Sequence, residues 1–290
     1  MDWIVAVDVH DRGPDVIDGV RRLAVRTGAR LHLRTVSLLG WDGEEAFGEA
    51  KQALLAEWRK YRDQEAAQLA ELASKLPAAA VGSIEVLGGK PGPALLDAAA
   101  GFDGICLGTH GRQGLRRTFL GSVAEWVVRH SEGPVWVLHM DVPAIPEDGP
   151  LKVVAPIDAH EPDVRPLKEA LRWLRGPVDV HAVHALRASL PYDGLDGLAH
   201  VTAHQTDQQR DWAIEQVAAA LADADIPATT HCITALGSNP ARDLGAFAED
   251  QGARLIVMGT HGRKNLARLA FGSVAERLVR FSPCTTLVVR

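Results

Sequence analysis

Gly108-Thr109-His110-Gly111-Arg112 … Gly121-Ser122-Val123-Ala124-Glu125 occurs once in this 290-residue chain. It then recurs as Gly259-Thr260-His261-Gly262-Arg263 … Gly272-Ser273-Val274-Ala275-Glu276. The offset is 151 residues without a gap, and of the 24 positions from Gly108 to Ser131, 15 are identical in Gly259 to Ser282. Identity that dense at one fixed offset marks a duplication. The repeated stretch also has a chemical shape. Two glycines three apart, then nine residues, then Gly-Ser opening a helix make a backbone suited to wrapping an anion. The chain therefore reads as two copies of one small domain, each with a candidate phosphate cradle.

Working outward from the repeat, strand and helix patterns alternate in both halves. In the first, Trp3 to Val7 is an apolar strand running into Asp8, and Asp15 to Arg26 has helical spacing closed by Gly28. Leu31 to Val36 is the second strand, and Glu44 to Leu76 is a long helix of good helix formers. Ile84 to Leu87 is a strand, Pro91 to Ala100 a helix, and Gly104 to Leu107 the strand that enters the glycine motif. Val123 to His130 continues the motif as a helix, and Val135 to Leu138 is a last strand. The second half repeats this order from Val153 to Val289, with its long helix predicted at Gln205 to Ala224. Such alternation predicts parallel strands with right-handed helical crossovers, an α/β sheet covered on both faces. The expected division is a first domain over 1–140, a proline-rich linker over 141–150 and a second domain over 151–290.

Bulk properties narrow the class. The length suits two domains of ordinary size, and 47% hydrophobic with 23% charged residues is a globular composition. A net charge of −6 argues against a nucleic-acid footprint. No apolar run approaches the roughly 18 residues of a membrane span. Cys106, Cys232 and Cys284 are scattered and odd in number, and no signal-type segment precedes the first strand. Together these predict reduced thiols and a cytoplasmic setting.

In each copy the glycine motif follows an apolar strand and precedes a helix. The first N–H groups of a helix have no internal partner, and with the helix dipole they attract phosphate; Ser122 or Ser273 adds a hydroxyl. In an open α/β sheet the ligand lies at the carboxyl ends of the strands, where the strand order reverses. Asp8 and Asp158 end the first strands and should face the same crevice. The motif is neither a Walker A loop, having no Gly-x-x-x-x-Gly-Lys-Ser/Thr, nor a dinucleotide fingerprint on the first strand.

Gly-x2-Gly-x9-Gly-Ser after an apolar strand, with an Asp ending the first strand, resembles the universal stress protein family. Gly88-Gly89-Lys90-Pro91 and Gly237-Ser238-Asn239-Pro240 before the third helices agree with it. The resemblance covers nearly the whole chain as two tandem doubly wound domains. It implies a five-stranded parallel sheet in each, order 3-2-1-4-5, and ATP binding, with or without Mg2+. By that analogy Asp8 and Asp158 approach the nucleotide, and the backbones of Val36 and Val183 read adenine. Gly108, Gly111, Gly121, Ser122 and Val123 hold ribose and phosphates in copy one, and Gly259, Gly262, Gly272, Ser273 and Val274 do so in copy two. The resemblance also implies that the domains pair as a pseudo-dimer through Val135–Leu138 and Thr286–Val289, with a homodimer as the further option. The Asp-to-Val spacing is 28 residues in copy one but 25 in copy two, so the second adenine pocket departs from the first.

Other candidates carry less. Both copies read Asp-x-His at the end of the first strand, so His10 and His160 are either pocket-mouth groups or surface-loop residues. Arg112 and Arg263 either neutralise phosphate or are solvated. His200 and His204 have helical metal-pair spacing but no third ligand beside them, and His181 and His184, three apart in a strand, should point to opposite faces. No metal site is expected. Trp58 and Trp212 read as core or interface anchors. No nucleophile–base set is present, and the first glycine loop, Gly108 to Gly121, holds no lysine. The leading expectation is an ATP-binding stress-response regulator without catalysis. A nucleotide-independent scaffold of the same fold is the first alternative and a weak ATPase the second.

Overall fold

In the computed structural model the described residues are 1–37, 49–109, 120–187, 199–235, 240–260 and 272–290, with backbone alone at 49–54 and 199–206. They form two compact units, Met1–Glu147 and Asp148–Arg290. The first runs β1 (Asp2–Ala6), α1 (Gly13–Thr27), β2 (Arg30–Val36), α2 (Glu49–Ala73), β3 (Val81–Leu87), α3 (Pro91–Ala99), β4 (Gly104–Gly108), α4 (Ser122–His130) and β5 (Val135–Leu138). Its strands lie in the order β3-β2-β1-β4-β5, all parallel. The second runs β6 (Leu151–Pro156), α5 (Arg165–Trp173), β7 (Val178–Arg187), α6 (Ala199–Asp223), β8 (Thr229–Ala235), α7 (Pro240–Asp250), β9 (Leu255–Gly259), α8 (Ser273–Phe281) and β10 (Thr285–Val289). Its order is β8-β7-β6-β9-β10, again parallel. Each unit is thus the 3-2-1-4-5 sheet that the family resemblance implied.

The elements follow from their residues. The central strands are apolar on both faces, and Trp3, Ile4 and Val5 are all buried, as a sheet covered by helices on two sides requires. In α1 the buried Val16, Ile17, Val20, Leu23 and Ala24 recur at helical spacing. Gly28 ends that helix with φ 69°, its N–H bonded to the Ala24 carbonyl, a conformation glycine adopts without a side-chain penalty. α6 begins at Ala199, six residues before the predicted start at Gln205. The polar run Ala199 to Thr206 has no apolar stripe to announce a helix, so the sequence pattern was silent there.

The stretch read as a linker is mostly docked on the first unit. Asp141 pairs with Arg12 at 2.9 Å, Glu147 pairs with Arg21 at 2.6 Å, and Ile145 is buried. The Arg12 guanidinium holds the Asp141 carboxyl below its usual range. All three cysteines are free and buried. Burial pushes the Cys284 thiol up to about 12 and raises Cys106 as well, which leaves little reactive thiolate.

His139 follows β5 and keeps part of its surface open, but its Nε2 is enclosed without a hydrogen-bond partner among the described residues. Desolvation lowers its pKa from 6.5 to about 4. The folded state therefore resists a proton that the unfolded chain accepts, so stability present above pH 6.5 is lost as pH falls toward 4. Between pH 6.5 and 4.5 the loss is expected to reach about 1–2 kcal/mol. Urea unfolding of the wild type and His139→Leu across that range checks it; the variant should lack this component, and equal slopes would refute it.

Candidate functional site

The strand order of the first unit turns back between β1 and β4, and a crevice opens at their carboxyl ends. Asp8 stands two residues beyond β1, Val36 is the last residue of β2 and Gly108 the last of β4. Gly121 caps α4 with φ −58° and ψ 150°, Ser122 is its first residue and Val123 follows. All six line a single cleft of about 180 Å³. Gly121 has no side chain to cap α4, so among the described residues the helix's first-turn N–H groups are left to face that cleft. Gly111 lies outside the described residues, as do His110 and Arg112.

Packing explains why several of these residues are what they are. A Cβ on Gly108 would stand 2.7 Å from Val16 Cγ2 and 3.1 Å from Met140 Cε. Glycine there is demanded by the approach of α1 as well as by any ligand. Asp8 Oδ1 accepts the His10 N–H at 3.0 Å and fixes the turn after β1. His10 lines the cleft, and its Nε2 stands 3.1 Å from Glu65 Oε1 and 3.2 Å from the Tyr61 hydroxyl. Glu65 is 1% exposed. A buried carboxylate of this kind requires a polar partner, and His10 supplies one. Arg12 also lines the cleft, in a left-handed conformation with φ 49°, and its charge is held by Asp15 at 2.7 Å and Asp141 at 2.9 Å. Neither Glu65 nor Arg12 was marked by the sequence, because Glu65 meets His10, and Arg12 meets Asp141, only across long stretches of chain.

In the second unit Asp158 follows β6, Gly259 ends β9, Gly272 caps α8, Ser273 is its first residue and Val274 the next. The Gly272 N–H bonds the Thr260 carbonyl at 3.0 Å, tying the helix start to the end of β9. Gly262 lies outside the described residues, with His261 and Arg263. Val183 sits differently from Val36. Its carbonyl accepts the Ile157 N–H at 2.9 Å, as the Arg34 carbonyl accepts the Val7 N–H at 2.8 Å. By strand register Val183 is therefore the counterpart of Arg34, and Ala185 is the counterpart of Val36. The three-residue difference in spacing came from pairing Val183 with Val36; Asp158 to Ala185 is 27 residues, one fewer than Asp8 to Val36.

The same register places His184 where the first unit has Thr35. His184 is buried, with Nδ1 3.0 Å from the Ala159 amide nitrogen and 3.1 Å from the Ile157 carbonyl oxygen. Asp158, His160 and His184 each bring a donor atom within 4.8 Å of the others. This grouping was not foreseen, since it joins a loop to a strand about 25 residues away. His181, three residues earlier, meets other partners: His231 Nε2 at 3.0 Å and Asp179 at 3.3 Å. The side chains of His200 and His204 lie outside the described residues. Trp212 is not a core anchor; it is 40% exposed, with its ring 5.0 Å from that of His160.

Fold and crevice define the chain as a tandem pair of doubly wound α/β domains, each with a Gly-Ser helix start at the point where the strand order reverses. The profile of the universal stress protein family matches residues 3–139 and again 151–290, and the chain belongs to that family. A universal stress protein of Mycobacterium tuberculosis is 28% identical over 249 residues, covering 80% of this chain and 79% of its own. One from Methanocaldococcus jannaschii is 29% identical over 142 residues, 48% of this chain and 81% of its own. Among solved structures, a universal stress protein of Archaeoglobus fulgidus superposes with a TM-score of 0.68 at 19% identity, covering 100% of this chain and 98% of its own. That last likeness concerns the fold. No described helix is long and apolar enough to cross a membrane.

Proposed function

We propose that the first unit binds an adenine nucleotide, ATP, in the cleft at the ends of β1 and β4. The chain then acts as a nucleotide-responsive regulator in stress adaptation rather than as a catalyst. The observation that supports this most is convergence. Asp8, Val36, Gly108, Gly121, Ser122 and Val123, chosen from sequence, line one cleft. In this reading the phosphates lie on the N–H groups at the start of α4, with the Ser122 hydroxyl beside them. The Val36 backbone meets the base, and Asp8 meets the ribose or a Mg2+ carried by the phosphates. Gly259, Gly272, Ser273 and Val274 offer the second unit the same phosphate end, with Asp158 beside it. Free, buried thiols suit a cytoplasmic setting.

Mass spectrometry of small molecules released from freshly purified, unheated protein tests the reading, together with calorimetric titration by ATP. An adenine nucleotide in the first or saturable heat in the second is expected. A protein that carries none and gives no heat leaves the scaffold alternative.

The pseudo-dimer belongs to the same proposal. Strands with the sequence character of Val135–Leu138 and Thr286–Val289 invite edge pairing, and tandem fusion would supply the second edge at high effective concentration. The first unit expressed alone over 1–147 is then expected to form a homodimer by light scattering. A strictly monomeric product would count against pairing.

A further inference from the structure

We propose that the second unit carries a site for a divalent transition metal of the zinc class, held by Asp158, His160 and His184. The three residues come from two segments that the sheet brings together, the turn after β6 and the neighbouring strand β7. Their donor atoms lie within 4.8 Å of one another, against about 3.4 Å between ligands at a tetrahedral zinc with bonds of about 2.1 Å. The remaining closure falls to His160, an exposed residue on a turn. Its Nδ1 is already 3.2 Å from Asp158 Oδ1, and its own N–H donates to the same oxygen at 3.1 Å.

His184 is the fixed member. Its Nδ1 stands between the Ala159 N–H and the Ile157 carbonyl, at 3.0 and 3.1 Å. It is an acceptor for the first in one tautomer and a donor to the second in the other. Coordination through Nε2 selects the donor form, Nδ1–H to a backbone carbonyl, the arrangement that orients metal-bound imidazoles. Two imidazoles and one carboxylate suit zinc, cobalt or nickel rather than magnesium or calcium, which prefer all-oxygen sets. Three protein ligands leave a further position for water or an incoming ligand.

The first unit serves as an internal comparison. It keeps Asp8 and His10, but Thr35 stands in the register position of His184, and His10 is turned to Glu65 and Tyr61. The chain should therefore bind one ion, not two. The inference does not depend on nucleotide, because every residue it uses can be tested in nucleotide-free protein.

The experiment is calorimetric titration of the full chain with Zn2+ after chelator treatment and without nucleotide, paralleled by Co2+ absorption spectroscopy. One ion per chain is expected, with d–d bands of four- or five-coordinate cobalt. His160→Ala should weaken Zn2+ binding by more than about tenfold, since even residues behind the ligands are worth that much. His184→Gln should do the same. His130→Ala, on an exposed residue of α4, should leave binding unchanged. His160 is the safer site for substitution, being exposed, and circular dichroism confirms folding. Co2+ should also quench Trp212, whose ring lies 5.0 Å from His160, and the quenching should diminish in Trp212→Phe. Absence of Zn2+ binding, or equal binding by wild type and His160→Ala, would overturn the proposal.

Discussion

Replacing Gly121 and Gly272 together by valine is expected to reduce ATP bound from about two per chain to none, a loss of at least ~100-fold in affinity at each site, or about 2.7 kcal/mol. Both helices have a glycine at the N-cap, which offers no side-chain acceptor of its own, and a helix start of this kind is where a phosphate would gather N–H groups. Their φ angles, −58° and −64°, are open to any residue. The effect should therefore come from a branched side chain standing over the helix start, not from backbone strain. Folding should survive, with a local adjustment at Gly272, whose Cβ would stand 3.3 Å from the Thr260 carbonyl oxygen. The two single variants apportion the loss between the units. A double variant that folds and still binds ATP with unchanged affinity would remove both helix starts from the site.

The largest stability effect is expected at a glycine away from the cleft. Gly104 begins β4 beside Trp3 of β1. The Trp3 ring crosses over it and meets Trp136 of β5 edge-on, centroids 5.8 Å apart. A Cβ on Gly104 would stand 2.4 Å from Trp3 Cζ3 and 2.5 Å from the Pro134 carbonyl oxygen. Neither can retreat easily: Trp3 is 1% exposed, and the Pro134 carbonyl accepts the Ile105 N–H at 3.1 Å. Gly104→Ala should cost about 3 kcal/mol or more, at the upper end for overpacking. Gly88 is the comparison. Nothing lies within 4 Å of where its Cβ would be, so Gly88→Ala should change stability by less than about 0.5 kcal/mol. Urea unfolding followed by tryptophan fluorescence measures both. Equal midpoints would contradict the packing described for Trp3 and Trp136.

The two Asp-x-His turns show how one sequence pattern can serve two environments. In the first unit His10 is drawn to Glu65, a carboxylate on α2 that is nearly inaccessible to water. In the second, His160 turns to Asp158 and lies against Trp212. The side chains that separate the two fates, Glu65 and His184, come from elements distant in the chain. Reading the turns alone could not distinguish a ligand from a surface residue.

Much of this molecule was legible before any coordinates. The repeat at an offset of 151 residues announced two domains. Apolar strands alternating with amphipathic helices announced a parallel sheet, because such strands must be covered on both faces. Asp8, Gly108 and Gly121 declared their places by standing at the ends of recognisable strands and helices. Local pattern suffices there, since the end of a strand or the start of a helix is a property of a few neighbouring residues. What only the tertiary structure decided was register and company. Val183 looked like the counterpart of Val36 until the hydrogen bond from Ile157 gave it the register position that Arg34 holds in the first unit. His184 looked like an isolated strand histidine until β6 brought Asp158 and His160 beside it. In a parallel sheet the neighbouring strand arrives after a helical crossover, so adjacency across it has no imprint in either segment alone. Side-chain chemistry that depends on adjacency is settled only when the sheet closes.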